Sequence, residues 1–189
     1  FIICLGYKGN LINNFFLKEK SKKYFKKINI DLVNTGQKSF TGERIKRIKK
    51  YIKGDFFLTY CDGLSDINLY KTLKLFKKSN KIGLISTVNP RSRFGVLSLD
   101  SNNKVLSFNE KSKSENTWIN AGFFIFNKNI FKFIKGKNPI FERAPLSTLA
   151  KKKQLIAYKH KGFWQCMDTL KDKMILNKIW GKSKVPWKK

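Results

Sequence analysis

The sequence is poor in cysteine, histidine and acidic side chains, and it has no long apolar run. Its three cysteines, Cys4, Cys61 and Cys166, are odd in number and lack the spacing of a metal site, which indicates a reducing compartment. No apolar stretch approaches the roughly 20 residues of a membrane span, and the opening segment lacks the basic flank of a signal peptide. The sequence therefore predicts a cytoplasmic protein without a membrane span.

A starting methionine is also missing, because the chain begins with Phe1 and its first methionine is Met167. We therefore expect a further segment upstream of Phe1. The 189 residues suffice for one domain with a substantial core, and they show neither an internal repeat nor a linker. The sequence predicts a single domain over residues 1–189 that is truncated at its N-terminus.

Acidic residues number 12 against 41 lysines and arginines, which gives a formal net charge of +29. Such a charge is typical of proteins that bind nucleic acid or an anionic membrane surface. Almost all the cations are lysines, however, and Lys, Asn, Ile and Phe share A/T-rich codons, so genome composition is an alternative cause. We expect no nucleic-acid partner, and a phosphorylated substrate would be attracted under either explanation.

Strand-like and helix-like segments alternate four times in the first half of the chain, which favours a parallel α/β sheet. We expect the first strand, Phe1–Leu5, at the centre of that sheet. Asp66 is a candidate N-cap for a helix with an apolar stripe at Leu69, Leu73 and Phe76. The four strand segments are "FIICL", "INIDLV", "DFFLTY" and "IGLISTV", and the helical segments are residues 10–26, 43–52 and 67–78.

The alternation of strands and helices changes in the second half of the chain. There, residues 96–109 are typical of a β-hairpin with an Asn-containing turn. A long apolar strand follows in "WINAGFFIFN", then a short helix from about Asn127, a helix near 142–152 and a strand near 154–158. The last helix opens with Thr169 and Asp172 at the spacing of a capping box. The whole pattern predicts an α/β fold with a mostly parallel mixed sheet, flanking helices and a hairpin insertion.

Two carboxylates follow strand-like segments, Asp62 in "FLTYCDGLSD" and Asp168 in "FWQCMDTLKD". Ligands of open parallel sheets bind beyond the carboxyl ends of the strands, and paired carboxylates suit a Mg²⁺ ion that carries phosphates. Each acid also has a structural interpretation, since Asp62 can cap a turn and Asp168 can cap the helix that follows.

Eight short stretches, in this order and spacing, resemble the sugar-1-phosphate nucleotidyltransferases over nearly the whole chain. Two of them, "TGERIKR" and "FWQCMDT", resemble the cytidylyl branch in particular. The stretches are "FIICLGYKG", "VNTGQKSFTGERIKR", "FLTYCDGLSD", "RFGVLSLD", "SFNEKSK", "WINAGFFIFN", "PLSTLA" and "GFWQCMDTLKDK".

The resemblance implies a Rossmann-like nucleotidyltransferase fold that joins CTP and α-D-glucose 1-phosphate into CDP-glucose and pyrophosphate. The product would feed surface polysaccharide synthesis, including lipopolysaccharide O-antigen. The resemblance further implies Mg²⁺ as the cofactor and a homo-oligomer at full length. The alternatives are a related enzyme with another base or sugar, and an inactive basic fragment that binds polyanions.

The resemblance also assigns residues, some of which have a simpler structural explanation. Lys111 matches the lysine that holds the sugar phosphate, although it could be one more solvated lysine. Asn120 matches the segment along the sugar, although it could bond a backbone group at the start of a strand. The implied sets are Asp62 and Asp168 for the metal, Asp62, Lys111 and Asp168 for catalysis, Thr41, Gly42 and Arg44 for the nucleotide, and Glu110, Asn120 and Gly122 for the sugar.

Several positions depart from the pattern of these enzymes: Glu43, Cys61, Ser112, Ala121 and Cys166. Glu43 would place a negative charge near the expected phosphates and weaken nucleotide binding unless a neighbouring lysine offsets it. The Gly-rich phosphate loop of these enzymes would lie upstream of Phe1. We therefore expect the isolated 189 residues to associate and to lack CDP-glucose synthesis.

Overall fold

The computed structural model describes residues 1–19, 25, 27–90, 95–109 and 117–188. Backbone packing groups these residues into two units. The first unit comprises Phe1–Phe56 and Phe126–Leu155, and the second comprises Phe57–Ile125 and Ile156–Lys189.

The first unit opens with strand β1 (Ile2–Leu5), helix α1 (Gly9–Glu19) and strand β2 (Asp31–Asn34). The two strands pair in parallel, as the alternation predicts, with Ile2 opposite Asp31. Among the described residues they form a two-stranded sheet, so the expected central position of β1 is not seen there.

The regular elements in the rest of the first unit are mainly helical. Helix α2 (Thr41–Arg47) and a 3-10 turn (Lys49–Tyr51) replace the single longer helix expected over 43–52. A second 3-10 turn (Lys128–Lys132) starts at the Asn127 cap, close to the predicted start, and helix α4 (Ala144–Lys151) matches the prediction near 142–152.

The core of the first unit is built from isoleucines of the α2 segment and from a group of phenylalanines. The sequence places Ile45, Ile48 and Ile52 at helical spacing, which predicts one apolar face. Ile45 and Ile48 are each 4% exposed, so this face is the buried one. The Phe126 ring lies edge to face with Phe141 at 5.4 Å between centroids. Hydrogen bonds from the Glu43 N–H to the Pro139 carbonyl and from the Phe141 N–H to the Thr41 hydroxyl join the start of α2 to the segment that precedes α4.

The second unit holds a four-stranded sheet of order β3–β8–β5–β9. The strands are β3 (Phe56–Thr59), β5 (Gly83–Val88), β8 (Ile119–Phe126) and β9 (Leu155–Lys159), and helix α3 (Leu69–Ser79) lies between β3 and β5 in sequence. Phe76 of α3 packs with Leu84 and Ile125 in a buried cluster. Leu69, expected in the same stripe, is instead 54% exposed because it lies in the first turn of α3.

The predicted hairpin is present as β6 (Val96–Leu99) and β7 (Val105–Asn109), which pair antiparallel. Its turn is held by the Asp100 carboxylate, which accepts the backbone N–H groups of Asn102 and Lys104 at 2.9 Å. Asn103 adopts a left-handed φ of 62°, a conformation that asparagine tolerates better than most residues.

A pair of very short strands was not predicted as a pair. β4 (Gly63–Ser65) runs antiparallel to β10 (Trp164–Cys166), and helix α5 (Leu170–Trp180) follows β10. Sequence periodicity carries no signal for β4 because three residues are fewer than two full alternations.

Two helix caps were predicted from the sequence, one correctly and one wrongly. The capping box of α5 is confirmed, because Thr169 and Asp172 exchange both bonds of the motif. The cap of α3 is Asn68, whose side chain accepts the N–H of Lys71 at 2.9 Å, so the assignment of that role to Asp66 was wrong. Within the described residues, no helix is long and apolar enough to cross a membrane.

Candidate active site

The two carboxylates singled out in the sequence lie at the same end of the β4–β10 pair. The last paired residues are Gly63 and Cys166. One step further, the backbone N–H of Met167 donates to the carbonyl of Asp62 at 2.8 Å, and Asp168 is the next residue. The backbone therefore brings Asp62 and Asp168 together, and both residues are exposed to solvent.

Asp168 is fixed from both sides by its own chain. It directly precedes Thr169, the N-cap of α5, so the alternative that Asp168 itself caps this helix is wrong. The thiol of Cys166 donates to Asp168 Oδ2 at 3.2 Å. A strand and a capped helix thus meet at this carboxylate, which limits its freedom before any ligand arrives.

This pair of acids fits a magnesium ion. Mg²⁺ usually binds proteins through one or two carboxylates and completes its octahedron with water and substrate phosphates. Among the described residues, no group of three or more His, Cys, Asp or Glu side chains is placed to hold a metal. Two exposed carboxylates match the partial protein coordination of magnesium better than they match a closed zinc or calcium site.

The predicted sugar segment lies in the same unit, against the start of the β4–β10 pair. The backbone N–H of Tyr60, two residues before Asp62, donates to the Gly122 carbonyl at 3.0 Å. The indole N–H of Trp164 donates to the carbonyl of Ala121 at 2.8 Å. The structure therefore joins the strand that carries Gly122 to the two short strands that lead to the acids.

Asn120 makes the local contact that was its alternative explanation. Its side-chain oxygen accepts the N–H of Gly122 at 2.8 Å. This bond accompanies a φ of +76° at Gly122, and a Cβ there would lie 3.2 Å from the Tyr60 ring. Glycine is therefore required at position 122 for backbone reasons, whatever ligand the segment binds.

In the first unit, Thr41 and Gly42 dock the start of α2 on residues 138–142. The Thr41 hydroxyl donates to Glu142 Oε2 at 2.7 Å and accepts the Phe141 N–H at 2.9 Å. A Cβ on Gly42 would lie 2.7 Å from the carbonyl oxygen of Pro139, a backbone atom that cannot move aside easily. Both positions thus have a structural reason for their residue type.

Arg44 of the same motif is also engaged by the protein. Its Nη1 donates to the carbonyl of Leu5 at 3.0 Å and to the hydroxyl of Thr35 at 2.8 Å. The guanidinium lies against Gly6, where any side chain would overlap it. Arg44 therefore ties α2 to the ends of both parallel strands.

The charge of Glu43 is offset inside its own helix. Arg47 Nε donates to Glu43 Oε1 at 2.9 Å, and Lys46 Nζ lies 3.5 Å from Oε2. The hydrogen bond from Arg47 is the main cause that lowers the pKa of the Glu43 carboxyl, and the nearby charges of Lys46 and Arg47 act in the same direction. The departure at position 43 is thus neutralised locally.

Glu110 and Lys111 lie outside the described residues, as does Ser112. Their proposed roles rest on the sequence alone.

Sequence reasoning missed His160, the single histidine of the chain. It is 8% exposed, and its Nε2 lies 3.0 Å from Asp66 Oδ1 and 3.0 Å from the carbonyl oxygen of Phe163. Asp66 follows Asp62 by only four residues, and this proximity was the available signal. Because Asp66 was assigned to the cap of α3, its pairing with His160 was not predicted.

The sequence profile described as "Nucleotidyl transferase" matches residues 8–174. The chain belongs to this nucleotidyltransferase family. Curated relatives include glucose-1-phosphate cytidylyltransferase of Salmonella typhi, which is 39% identical over all of this chain and 80% of its own length. Another is the probable glucose-1-phosphate cytidylyltransferase of Bacillus subtilis, 32% identical over all of this chain and 80% of its own length. The resemblance drawn from the short stretches is confirmed.

Solved structures of the nucleotidyltransferase family share the fold. A UDP-glucose pyrophosphorylase complexed with UDP-glucose superposes with a TM-score of 0.68 at 19% identity, covering 97% of this chain and 81% of that one. HddC from Yersinia pseudotuberculosis superposes with a TM-score of 0.66 at 24% identity, covering 92% and 75%. The predicted Rossmann-like α/β fold, with a mixed sheet and flanking helices, is confirmed.

Proposed function

We propose that this nucleotidyltransferase transfers a cytidylyl group from CTP to α-D-glucose 1-phosphate, giving CDP-glucose and pyrophosphate. The observation that carries the proposal is the 39% identity with a glucose-1-phosphate cytidylyltransferase over the entire chain. The product is a nucleotide sugar of the kind used for surface polysaccharides such as lipopolysaccharide O-antigen. We further propose a cytoplasmic location and a homo-oligomeric state.

In the proposed reaction, an oxygen of the sugar phosphate attacks the α-phosphorus of CTP, the new P–O bond forms, and pyrophosphate leaves with the electrons of the broken bond. Such a transfer depends on positioning and on neutralising charge. Asp62 and Asp168 would hold a Mg²⁺ ion. When bound, this ion supplies charge neutralisation for the triphosphate.

The remaining residues bind and orient. Lys111 would hold the phosphate of glucose 1-phosphate, with Glu110, Asn120 and Gly122 along the sugar. In the first unit, Thr41, Gly42 and Arg44 would serve the nucleotide. Because Arg44 uses Nη1 within the protein, its remaining N–H groups are the ones that would reach a ligand.

The test is a pyrophosphate-release assay with glucose 1-phosphate and each of CTP, UTP, dTTP, GTP and ATP, with and without Mg²⁺. With the upstream segment expected from the sequence restored, we expect saturable activity that prefers CTP and stops on chelation, whereas the 189 residues alone should show none. A preference for another base would replace the cytidylyl assignment by another nucleotidyltransferase specificity.

A basic protein that only binds polyanions is the other outcome to separate. It would show affinity that falls steeply with salt and no preference for base or sugar. Binding of CTP measured at two salt concentrations, against an unrelated polyphosphate of equal charge, distinguishes the two.

The role of Lys111 has a separate test. Lys111→Ala removes the proposed sugar-phosphate contact, so it should raise the KM for glucose 1-phosphate far more than the KM for CTP. Lys104→Ala, a lysine in the hairpin turn, is the matched control because it removes the same charge elsewhere. Equal changes in both KM values, or none, would reject the assigned role.

A further inference from the structure

Two strands lie beside the acids, β4 directly after Asp62 and β10 shortly before Asp168, and they are too short to hold each other in place. β4 and β10 pair over three residues, from Trp164 opposite Ser65 to Cys166 opposite Gly63. Short two-stranded pairs are marginally stable at best. The geometry of the two acids therefore depends on how this pair is anchored, through its contacts with β8 and through its opposite end.

That opposite end converges on the carbonyl oxygen of Phe163. From the β4 side, the Ser65 hydroxyl donates to it at 2.8 Å and the Asp66 N–H at 3.2 Å. From the β10 side, His160 Nε2 lies 3.0 Å away. One oxygen thus joins residues on both sides of the short strand pair.

His160 connects this oxygen to the four-stranded sheet of the unit. Its backbone N–H donates to the carbonyl of Thr87, in β5, at 2.8 Å. Its Nε2 faces two acceptors, the Phe163 carbonyl and Asp66 Oδ1, so this nitrogen must carry the proton. Asp66 Oδ1 is buried and, among the described residues, has no hydrogen-bond partner; because such an oxygen is costly to bury, its contact with His160 Nε2 at 3.0 Å is the compensation available to it.

We infer that His160, together with Asp66, is a positioning residue that fixes the β4–β10 pair and thereby the approach of Asp62 to Asp168. The inference rests on the proposed function, since it assumes that these two acids bind the metal. His160 would act through the backbone and touch neither substrate nor metal.

Two variants distinguish the hydrogen bond made by His160 from the volume that its ring fills. His160→Leu fills the space but removes the N–H that faces Phe163 and Asp66. His160→Gln offers an amide N–H in its place and should restore part of the function. Thr72→Val is the matched control, because it removes a buried hydroxyl of the same unit that bonds the Leu69 carbonyl at 2.9 Å.

The first readout is Mn²⁺ binding to the substrate-free protein, followed by electron paramagnetic resonance. Loss of a group that orients metal ligands typically weakens metal affinity by about 10-fold to 100-fold. We expect His160→Leu to weaken Mn²⁺ binding by about 10-fold, His160→Gln to weaken it less, and Thr72→Val to leave it unchanged.

The second readout is hydrogen exchange at the Met167 amide, which donates to Asp62 at the far end of the pair. His160→Leu should speed exchange there, while amides of the α3 helix keep their protection. A merely structural role in the core would instead lower the melting temperature and speed exchange throughout the unit. If His160→Leu does not fold, Asp66→Asn weakens the same contact and takes its place.

The measurements can reject the positioning role of His160 and the metal site separately. Loss of Mn²⁺ binding in Asp62→Asn and Asp168→Asn, with unchanged binding and exchange in His160→Leu, overturns the inference and leaves the proposed metal site standing. Unchanged binding in Asp62→Asn and Asp168→Asn, or no binding in the unaltered protein, rejects the metal site and the inference that rests on it.

Discussion

The two regions that the family resemblance marks as functional are built in opposite ways. In the α2 motif, the side chains of Thr41 and Arg44 already bond groups of the protein itself. At the end of the β4–β10 pair, Asp62 and Asp168 are exposed and are held mainly through their backbone and neighbours. A family motif therefore identifies a region without saying which of its residues maintain the fold and which meet the ligand.

The two regions should respond differently to substitution. Substitution in the α2 motif should reduce stability first, because bonds within the protein are lost. Substitution of the exposed acids should reduce catalysis at nearly constant stability, because surface carboxylates contribute little to folding. The two responses can be separated by measuring melting temperature and turnover on the same samples.

The largest expected effect is on turnover, in Asp62→Asn and Asp168→Asn. Each removes one of two carboxylates proposed for the metal, and loss of metal-assisted charge neutralisation is worth several kcal/mol in the transition state, or about 100-fold or more in rate. Pyrophosphate release measures the rate, and thermal unfolding should show little change. Asp100→Asn, in the hairpin turn, is the control for loss of one carboxylate. Turnover within a few-fold of the unaltered protein would contradict the role of the acids.

Next in size is the stability loss expected for Arg44→Leu. It removes two hydrogen bonds from a charged donor to Leu5 and Thr35, and bonds of this kind contribute about 2 kcal/mol. Arg47→Leu removes an equal charge from the same helix but only a surface pair, so it should cost less than about 1 kcal/mol. Denaturant unfolding measures the stability of both variants. Equal losses of unfolding free energy would mean that the bonds of Arg44 to Leu5 and Thr35 do not stabilise the fold as the structure indicates.

The parts of this molecule that the sequence predicted are those whose signal is local. The hairpin turn, the α5 capping box and the burial of Ile45 and Ile48 follow from neighbouring residues, and all are confirmed. The β4–β10 pair was not predictable in this way, because its partners are about one hundred residues apart and each strand is three residues long. The same holds for Asp66, whose partner His160 lies far along the chain.

The candidate site likewise contains residues that were predictable from the sequence and contacts that were not. Their positions after strand-like segments selected Asp62 and Asp168, the resemblance assigned them the metal, and the structure joins them through the Met167 bond. The resemblance could not reveal that Asn120 bonds Gly122, or that Arg47 neutralises Glu43, because such contacts depend on side-chain geometry. These contacts decide which position tolerates substitution.

A smaller effect is expected in Gly122→Ala, which tests a backbone requirement inside the acid-bearing unit. The φ of +76° and the 3.2 Å approach to Tyr60 make a side chain strained at this position. A non-glycine residue in such a conformation costs about 1–2 kcal/mol. Gly54→Ala is the matched control, since nothing lies within 4 Å of a Cβ there and no loss is expected. Thermal unfolding of the two variants decides, and equal melting temperatures would refute the strain.

The smallest effect expected is in Glu43→Gln, which tests whether the charge at position 43 is neutralised within α2. The pair with Arg47 at i, i+4 should contribute about 0.5 kcal/mol. Because the hydrogen bond from Arg47 lowers the pKa of Glu43 in the folded state, this stability is present above the ordinary glutamate pKa of about 4.3. It is lost as the pH falls through the lowered folded value.

The difference in unfolding free energy between the unaltered protein and Glu43→Gln should therefore be largest near pH 7 and vanish in acid. It should also shrink in high salt, because the pair is partly exposed. The KM for CTP should change little, since Lys46 and Arg47 already offset the carboxylate. A difference that is independent of pH would assign the contribution to packing, and a large fall in the KM for CTP would show that the carboxylate does repel the nucleotide.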